Sequence, residues 1–280
     1  MSSGYGAAEE NRPLAIEDAE KGHGQHDDEA APPHPGPHPG PARGGAVGRL
    51  AVPLAAVATL LFWLLVVAWL GAVTLGAKGA DATAQGFSWA AGDKRVFNWH
   101  PVLMAGGFVL CLGHATLVHS VPSSVLAKPT RKWVHATLLA CVVPLVALGL
   151  VAVFRSHNEA VPPIPNMYSA HAYLGALVIT LFLCQLAYGA YAFALGGMPA
   201  EQRAAALPQH RWAGVAIFEL ACVTAAMGLV EKMAFNGTGG AKGAEMQVTN
   251  AATLVLVVGM AALPGAVALR DRSSGAPKSR

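Results

Sequence analysis

Four histidines share one placement. His100, His135, His171 and His210 each stand at or near the start of a long apolar run. If those runs are antiparallel helices, the first and third of these residues meet one face of the assembly and the second and fourth meet the other. That pairs His100 with His171, 71 residues apart, and His135 with His210, 75 residues apart. Two imidazoles fill both axial positions of a haem iron and leave no open site, so the work of such a centre is electron transfer rather than oxygen or substrate binding. Two pairs, one per face, suit a two-haem relay. An ionisable group at membrane depth is a functional hypothesis by default.

The elements that must hold these histidines follow from composition. The 280 residues are 54% hydrophobic and 12% charged, about half the charge of an average soluble domain. A soluble enzyme is excluded, and the net charge of +3 gives no reason to expect a nucleic-acid partner. The low charge is an average over two regimes. Residues 1–48, with PPHPGPHPGPARGG and HDDEA, cannot bury enough apolar surface to fold and read as a disordered tail, whose His23, His26, His34 and His38 are solvated. Beyond it come six apolar stretches, near 50–77, 98–121, 133–154, 166–194, 209–231 and 247–269, each close to the twenty residues a spanning helix needs. Only helices satisfy their own backbone in lipid, so no sheet is expected. The fold class is therefore all-α: a six-helix membrane domain over 49–271 and a short tail, 272–280.

Basic residues orient the chain. With the N-terminus in the cytosol, inside segments hold Arg43, Arg49, Lys128, Arg131, Lys132, Arg203, Arg211, Arg270, Arg272, Lys278 and Arg280. Outside ones hold Lys94, Arg95, Arg155, Lys232 and Lys242. Eleven against five favours both termini inside. Cys111, Cys141, Cys184 and Cys222 lie in separate apolar runs with no CxxC spacing, as reduced packing residues do.

The segments FNWHPVLMAGG, KPTRKWVHATLLA, FRSHNEA, MYSAHAYLG, LPQHRWAG and AAMGLVEKM resemble, in order and spacing over roughly 95–233, the cytochrome b561 family of transmembrane ascorbate ferrireductases. The resemblance implies a central four-helix bundle, helices 2–5, holding two b-type haems, His100 with His171 on the non-cytosolic side and His135 with His210 on the cytosolic side. It implies ascorbate as cytosolic donor, monodehydroascorbate or a ferric chelate as outer acceptor, and a homodimer in the lipid bilayer. The plasma membrane, a vacuolar membrane or another endomembrane would all suit.

An anionic donor needs a basic site near the inner haem. Lys128, Arg131 and Lys132 before His135, and Arg203 before His210, are the candidates, although positive-inside bias alone also supplies such residues. On the outer side Arg155, His157, Asn158 and Glu159 form a polar turn, and Tyr168 lies one helical turn before His171. His157 matches the family position that meets the outer substrate.

The chain departs from the family pattern at two depths. His114 replaces a usual glutamate, and Glu219 stands in a normally apolar helix. Counting about 1.5 Å per residue suggests that the two meet as a relocated polar pair. His119, in place of a family tyrosine, reads as interfacial. Two rivals share parts of this logic: a quinone-linked cytochrome b subunit of a larger complex, and a histidine-based proton or metal transporter.

Overall fold

The structure is a computed structural model that describes residues 46–71, 85–235 and 244–274. The expected tails, 1–48 and 272–280, fall outside these residues except at their inner edges, as does the end of the first apolar stretch, 72–77. Among the described residues there are six helices long and apolar enough to cross a membrane, and no strand. We number them α1 (Ala46–Gly71), α2 (Lys94–Ser120), α3 (Lys128–Asn158), α4 (Ala170–Ala194), α5 (Ala200–Phe235) and α6 (Ala244–Ser274).

Local chemistry sets several of the boundaries. Asp93 opens α2 by accepting from the Arg95 backbone N–H at 2.9 Å, and its carboxyl is held far below its ordinary pKa by the Arg95 guanidinium. Pro129 occupies the first turn of α3, where its missing N–H costs nothing. Ser169 caps α4 by accepting from the Ala172 N–H at 3.2 Å. Helix α5 begins at Ala200, well before the expected 209, and α3 begins at Lys128 rather than 133. His210 and His135 therefore lie ten and seven residues inside their helices, about 15 and 10 Å deep at 1.5 Å per residue.

Packing is pairwise. Helix α1 lies along α6, α2 along α3, and α4 along α5, whereas α3 and α4 scarcely approach each other. The α2–α3 and α4–α5 pairs meet where α2 packs on α5 around Gly113 and Phe218, and a gap is left beside that contact, between α3 and α4. Helix α2 is the most enclosed span, 61% of its apolar window being buried against 17% for α4. Exposed Leu50, Leu54, Val57, Leu61 and Leu64 on α1 face outward, as lipid contact requires.

Helix α2 is not regular. A 3-10 turn, Lys94–Asn98, leads into α-helix at Trp99–Met104, a π-helical segment at Ala105–Cys111, and α-helix again at Leu112–Leu117. Gly106 lets Trp63 of α1 come close, since a Cβ there would stand 3.1 Å from its Nε1. That Nε1 donates to the Val102 carbonyl at 3.2 Å, just where α gives way to π. The wider turns shift the phase of everything after them. His114 consequently donates to the Leu110 carbonyl at 2.9 Å and lies 3.4 Å from Thr59 Oγ1 of α1. It makes no hydrogen bond to Glu219, whose Oε1 is buried without a partner. The expected His114–Glu219 pair is not formed: the depth count is sound, since Gly113 packs against Phe218, but depth does not fix direction, and the His114 side chain turns to α1.

Trp63→Phe keeps an aromatic ring, though a smaller one, and removes the donor to Val102. The expected cost is about 1–3 kcal/mol, read as a lower unfolding midpoint of the detergent-solubilised protein with its helix content unchanged.

Candidate haem sites and their polar rims

The four histidines meet as two pairs across the gap. The ring centres of His100 and His171 are 6.2 Å apart and those of His135 and His210 are 6.4 Å apart, with ring planes crossing at 86° and 70°. Metal–nitrogen bonds of about 2.0–2.1 Å, with each ring centre about an ångström beyond its nitrogen, place two opposed ligand rings about 6 Å apart. The pairs therefore have the spacing of two imidazoles on one metal.

Their hydrogen bonds suit ligation as well. His100 Nδ1 donates to the Gly149 carbonyl at 3.0 Å, His171 Nδ1 to Thr224 at 2.9 Å and His135 Nδ1 to Ala115 at 2.8 Å. A proton parked on Nδ1 leaves the Nε2 lone pair free for a metal, and a metal-bound histidine almost always makes such a bond. His210 meets the Gln185 side chain instead. Each site also depends on a glycine. A Cβ on Gly228 would lie 2.8 Å from the His171 ring, and one on Gly189 would lie 3.0 Å from the His210 ring.

A cavity of about 440 Å³ surrounds the His100–His171 pair, within the range of cofactor pockets. It runs from a mouth at His157, Tyr168 and Glu231 past both histidines to Phe108 and Val178 at mid-bundle. Its lower walls are apolar, which suits a flat, largely hydrophobic macrocycle. Phe108 stands edge-on to Phe182 there, at 5.5 Å between ring centres.

Residues 99–236 match the eukaryotic cytochrome b561 family. The chain belongs to the cytochrome b561 family. Among its relatives, "Transmembrane ascorbate ferrireductase 1" of Arabidopsis thaliana is 38% identical over 156 residues, 55% of this chain and 64% of that protein. "Plasma membrane ascorbate-dependent reductase CYBRD1" of Xenopus laevis is 37% identical over 153 residues, 54% of this chain and 53% of the relative. "Lysosomal membrane ascorbate-dependent ferrireductase CYB561A3" of Homo sapiens is 39% identical over 152 residues, 54% and 62%. The chain thus matches between about half and two thirds of the length of these relatives. Membership in the b561 family implies b-type haem, and the donor set agrees: paired imidazoles, backbone acceptors and an apolar cleft.

The candidate substrate residues divide. On the His135 side, Lys128 and Lys132 are exposed and fall on the same helical stripe as His135, at i, i+4 and i+7. Arg203 stands seven residues before His210 on α5, half-exposed. Arg131 is otherwise employed. It is buried, 9% exposed, and donates to the Val121 carbonyl at 2.7 Å, the His119 carbonyl at 3.4 Å and Ser123 Oγ at 2.9 Å. It ties the α2–α3 loop down rather than offering a free charge. His119 lies nearer the chemistry than expected, its ring 4.9 Å from that of His135.

On the His100 side, His157 and Tyr168 line the mouth together, 6.2 Å apart. His157 Nδ1 donates to Asn166 Oδ1 at 3.1 Å, and Asn166 Nδ2 donates to Asn158 Oδ1 at 2.9 Å. Neither Asn158 nor Arg155 lines the cavity. Arg155 pairs with Glu159 at 2.8 Å and donates to the Trp89 carbonyl at 3.3 Å, while Glu159 Oε2 accepts from the Gly92 N–H at 3.0 Å. These bonds clamp the segment before α2 to the end of α3. Glu231, which sequence reasoning passed over, borders the mouth and accepts from Ser169 Oγ at 3.2 Å. Burial, then the Glu231 charge, pushes the Tyr168 hydroxyl pKa up. Gln185, Gly189 and Gly228 were also missed. Gly228 sits inside AAMGLVEKM, but nothing local in that motif says it faces a histidine.

Two outcomes are expected. Gly228→Val crowds His171 and lowers the haem-to-protein absorbance ratio, the loss falling on the His100–His171 site. The Glu159 carboxyl is depressed in the folded state by Arg155 and then by the Gly92 N–H. The clamp is therefore fully present above the ordinary glutamate value of about 4.3 and is lost only as pH falls through the lower folded value. Hydrogen exchange of the Gly92 amide should be equally protected at pH 7 and pH 5, and Glu159→Gln should lose much of that protection at both.

Proposed function

We propose that the protein carries electrons across the membrane, from ascorbate at the cytosolic face through two b-type haems to monodehydroascorbate or a ferric chelate at the other face. The observation that supports this best is the pair of opposed histidine couples, one toward each face, each at ligand spacing. The haems supply reversible one-electron chemistry when bound. The chain's own residues do the rest. His135 and His210 would hold the inner haem, and His100 and His171 the outer one, with both axial positions taken so that neither centre admits oxygen.

Lys128, Lys132 and Arg203 stand outward of the inner couple, where cations attract an anionic donor and where the positive-inside bias puts the cytosol. Arg131 supports that site by fixing the loop. At the other face His157 and Tyr168 flank the cavity mouth and would meet the acceptor, with Asn158 and Arg155 shaping the turn behind them. The same reading places both termini in the cytosol and the tail 1–48 there with them. It includes the homodimer that family resemblance implies. The names of the relatives point to plasma and lysosomal membranes for those proteins; for this chain the plasma membrane, the vacuole and other endomembranes suit equally.

Vesicles reconstituted with ascorbate inside and ferric citrate outside test the proposal. Reduction outside should follow haem loading, and quinol should not replace ascorbate. His135→Leu or His210→Leu should lose one haem and electron entry. His100→Leu or His171→Leu should leave an inner haem that ascorbate reduces but that passes nothing outward. Two-haem content intact in all four variants would overturn the assignment. Lys132→Ala with Arg203→Ala removes one exposed and one half-exposed charge, worth up to about 1 kcal/mol each. The ascorbate concentration for half-maximal rate should rise up to about tenfold to thirtyfold, without haem loss.

A further inference from the structure

Glu219 puts a carboxyl at mid-membrane, and its Oε1 is buried with no hydrogen-bond partner among the described residues. Its place on the helix says where a partner would come from. The residues by which α5 lines the outer cavity, Ala221, Thr224, Ala225 and Gly228, lie on the same side as His210. Glu219, nine residues past His210 on one α-helix, is turned about 180° from it at about 100° per residue. It falls on a stripe of Trp212, Ala216, Glu219, Val223, Ala226 and Val230. Steps along the stripe alternate between four and three residues, the repeat of helices that supercoil together. Trp212, Val223 and Val230 are 44%, 41% and 69% exposed. Ala216 is exposed, and Glu219 and Ala226 are half-buried. From Trp212 to Val230 the stripe rises about 27 Å, nearly the thickness of the hydrocarbon core.

Lipid chains offer a carboxyl no hydrogen bond. In hydrocarbon the group is carried as the neutral acid, which has one O–H to donate and a carbonyl oxygen to accept. Its best-matched partner is therefore a second carboxylic acid. A two-fold axis along the membrane normal brings each residue of such a stripe against its own copy, and two Glu219 side chains then donate to one another. The terminal torsion of glutamate is soft, so Oε1 turns out at little cost to join the pair. Ala216 and Ala226, on either side, let the two backbones approach, as small residues do between membrane helices. Resting on the homodimer included in the reading above, we propose that the α5 stripe docks on the same stripe of a second copy of this chain, joined at its centre by a hydrogen-bonded pair of Glu219 carboxyls. The stripe lies on the side of α5 turned away from the haem ligand, so docking there leaves the cofactor gap untouched.

The test uses the full, haem-loaded chain in vesicles, with donor-labelled and acceptor-labelled copies mixed and energy transfer followed as added lipid dilutes the protein. Glu219→Leu should raise the dissociation constant about threefold to tenfold, the worth of one hydrogen bond between membrane helices. Glu219→Gln, whose amide also donates and accepts, should stay near the wild-type value. With the four native cysteines replaced by alanine, Val223→Cys should form an intermolecular disulfide under mild oxidation, and Val143→Cys, exposed on α3, should not. The proposal is overturned if Glu219→Leu comes apart no more readily than wild type, or if Val223→Cys fails to cross-link. A dimer that cross-links through Val143→Cys instead has its interface elsewhere and overturns it too, as does a wild-type chain that is monomeric at every dilution. Should Glu219→Leu lose its haem absorbance, the two cysteine variants decide. A dimeric protein that passes no electrons to an outer acceptor would sink the electron-transfer reading and leave this proposal standing.

Discussion

A histidine that is to bind metal through one nitrogen must do something with the proton on the other, and inside a lipid-embedded bundle water is not there to take it. Much of this fold can be understood from that requirement. The acceptors for His100, His171 and His135 are the main-chain carbonyls of Gly149, Thr224 and Ala115, each on the helix that packs alongside. A carbonyl already engaged within a helix has a second lone pair to offer. The bundle needs no additional polar side chain at these positions. It does need neighbouring helices at close range, which explains the tight α2–α3 and α4–α5 pairs.

Close pairing on two sides leaves the space between the pairs for the cofactor. The histidines reach across that space, so each couple draws one ligand from each pair of helices. Glycine at 228 and 189 gives the rings room without moving the helix axes. Outside the gap the ordering of polar groups changes character. On one rim Arg131 is committed to the loop while its neighbours stay free. On the other, Arg155 and Glu159 satisfy each other and the Gly92 amide, leaving His157, Tyr168 and Glu231 around the opening.

Much of this is legible in the amino-acid sequence. Helix count and the pairing of His100 with His171 and His135 with His210 need only apolar run lengths and the antiparallel alternation of successive spans. The rest is hidden for particular physical reasons. Carbonyl acceptors carry no side-chain signal. Gln185 is one uncharged polar residue in an apolar run. Arg131 looks like Lys128 and Lys132 until the loop folds over it. The starts of α3 and α5 are misjudged because polar, amphipathic helical turns outside the apolar window look like loop. His114 and Glu219 are matched correctly in depth, but depth carries no direction, and the π segment turns His114 toward α1.

That π segment has a consequence for how such a chain tolerates change. A loop closed from i to i+5 holds one residue more than the usual one, so 105–111 behaves like an α-helix that has absorbed an insertion. The two halves of α2 are out of register with each other by about one residue, roughly 100° of rotation. His100 on one side of it faces the cofactor gap, and His114 on the other faces α1. Substitutions on either half leave that relation alone. Losing a single residue between them would not, because a regular helix would swing the whole second half of α2 by a quarter turn or more. In this stretch length is under tighter restraint than identity.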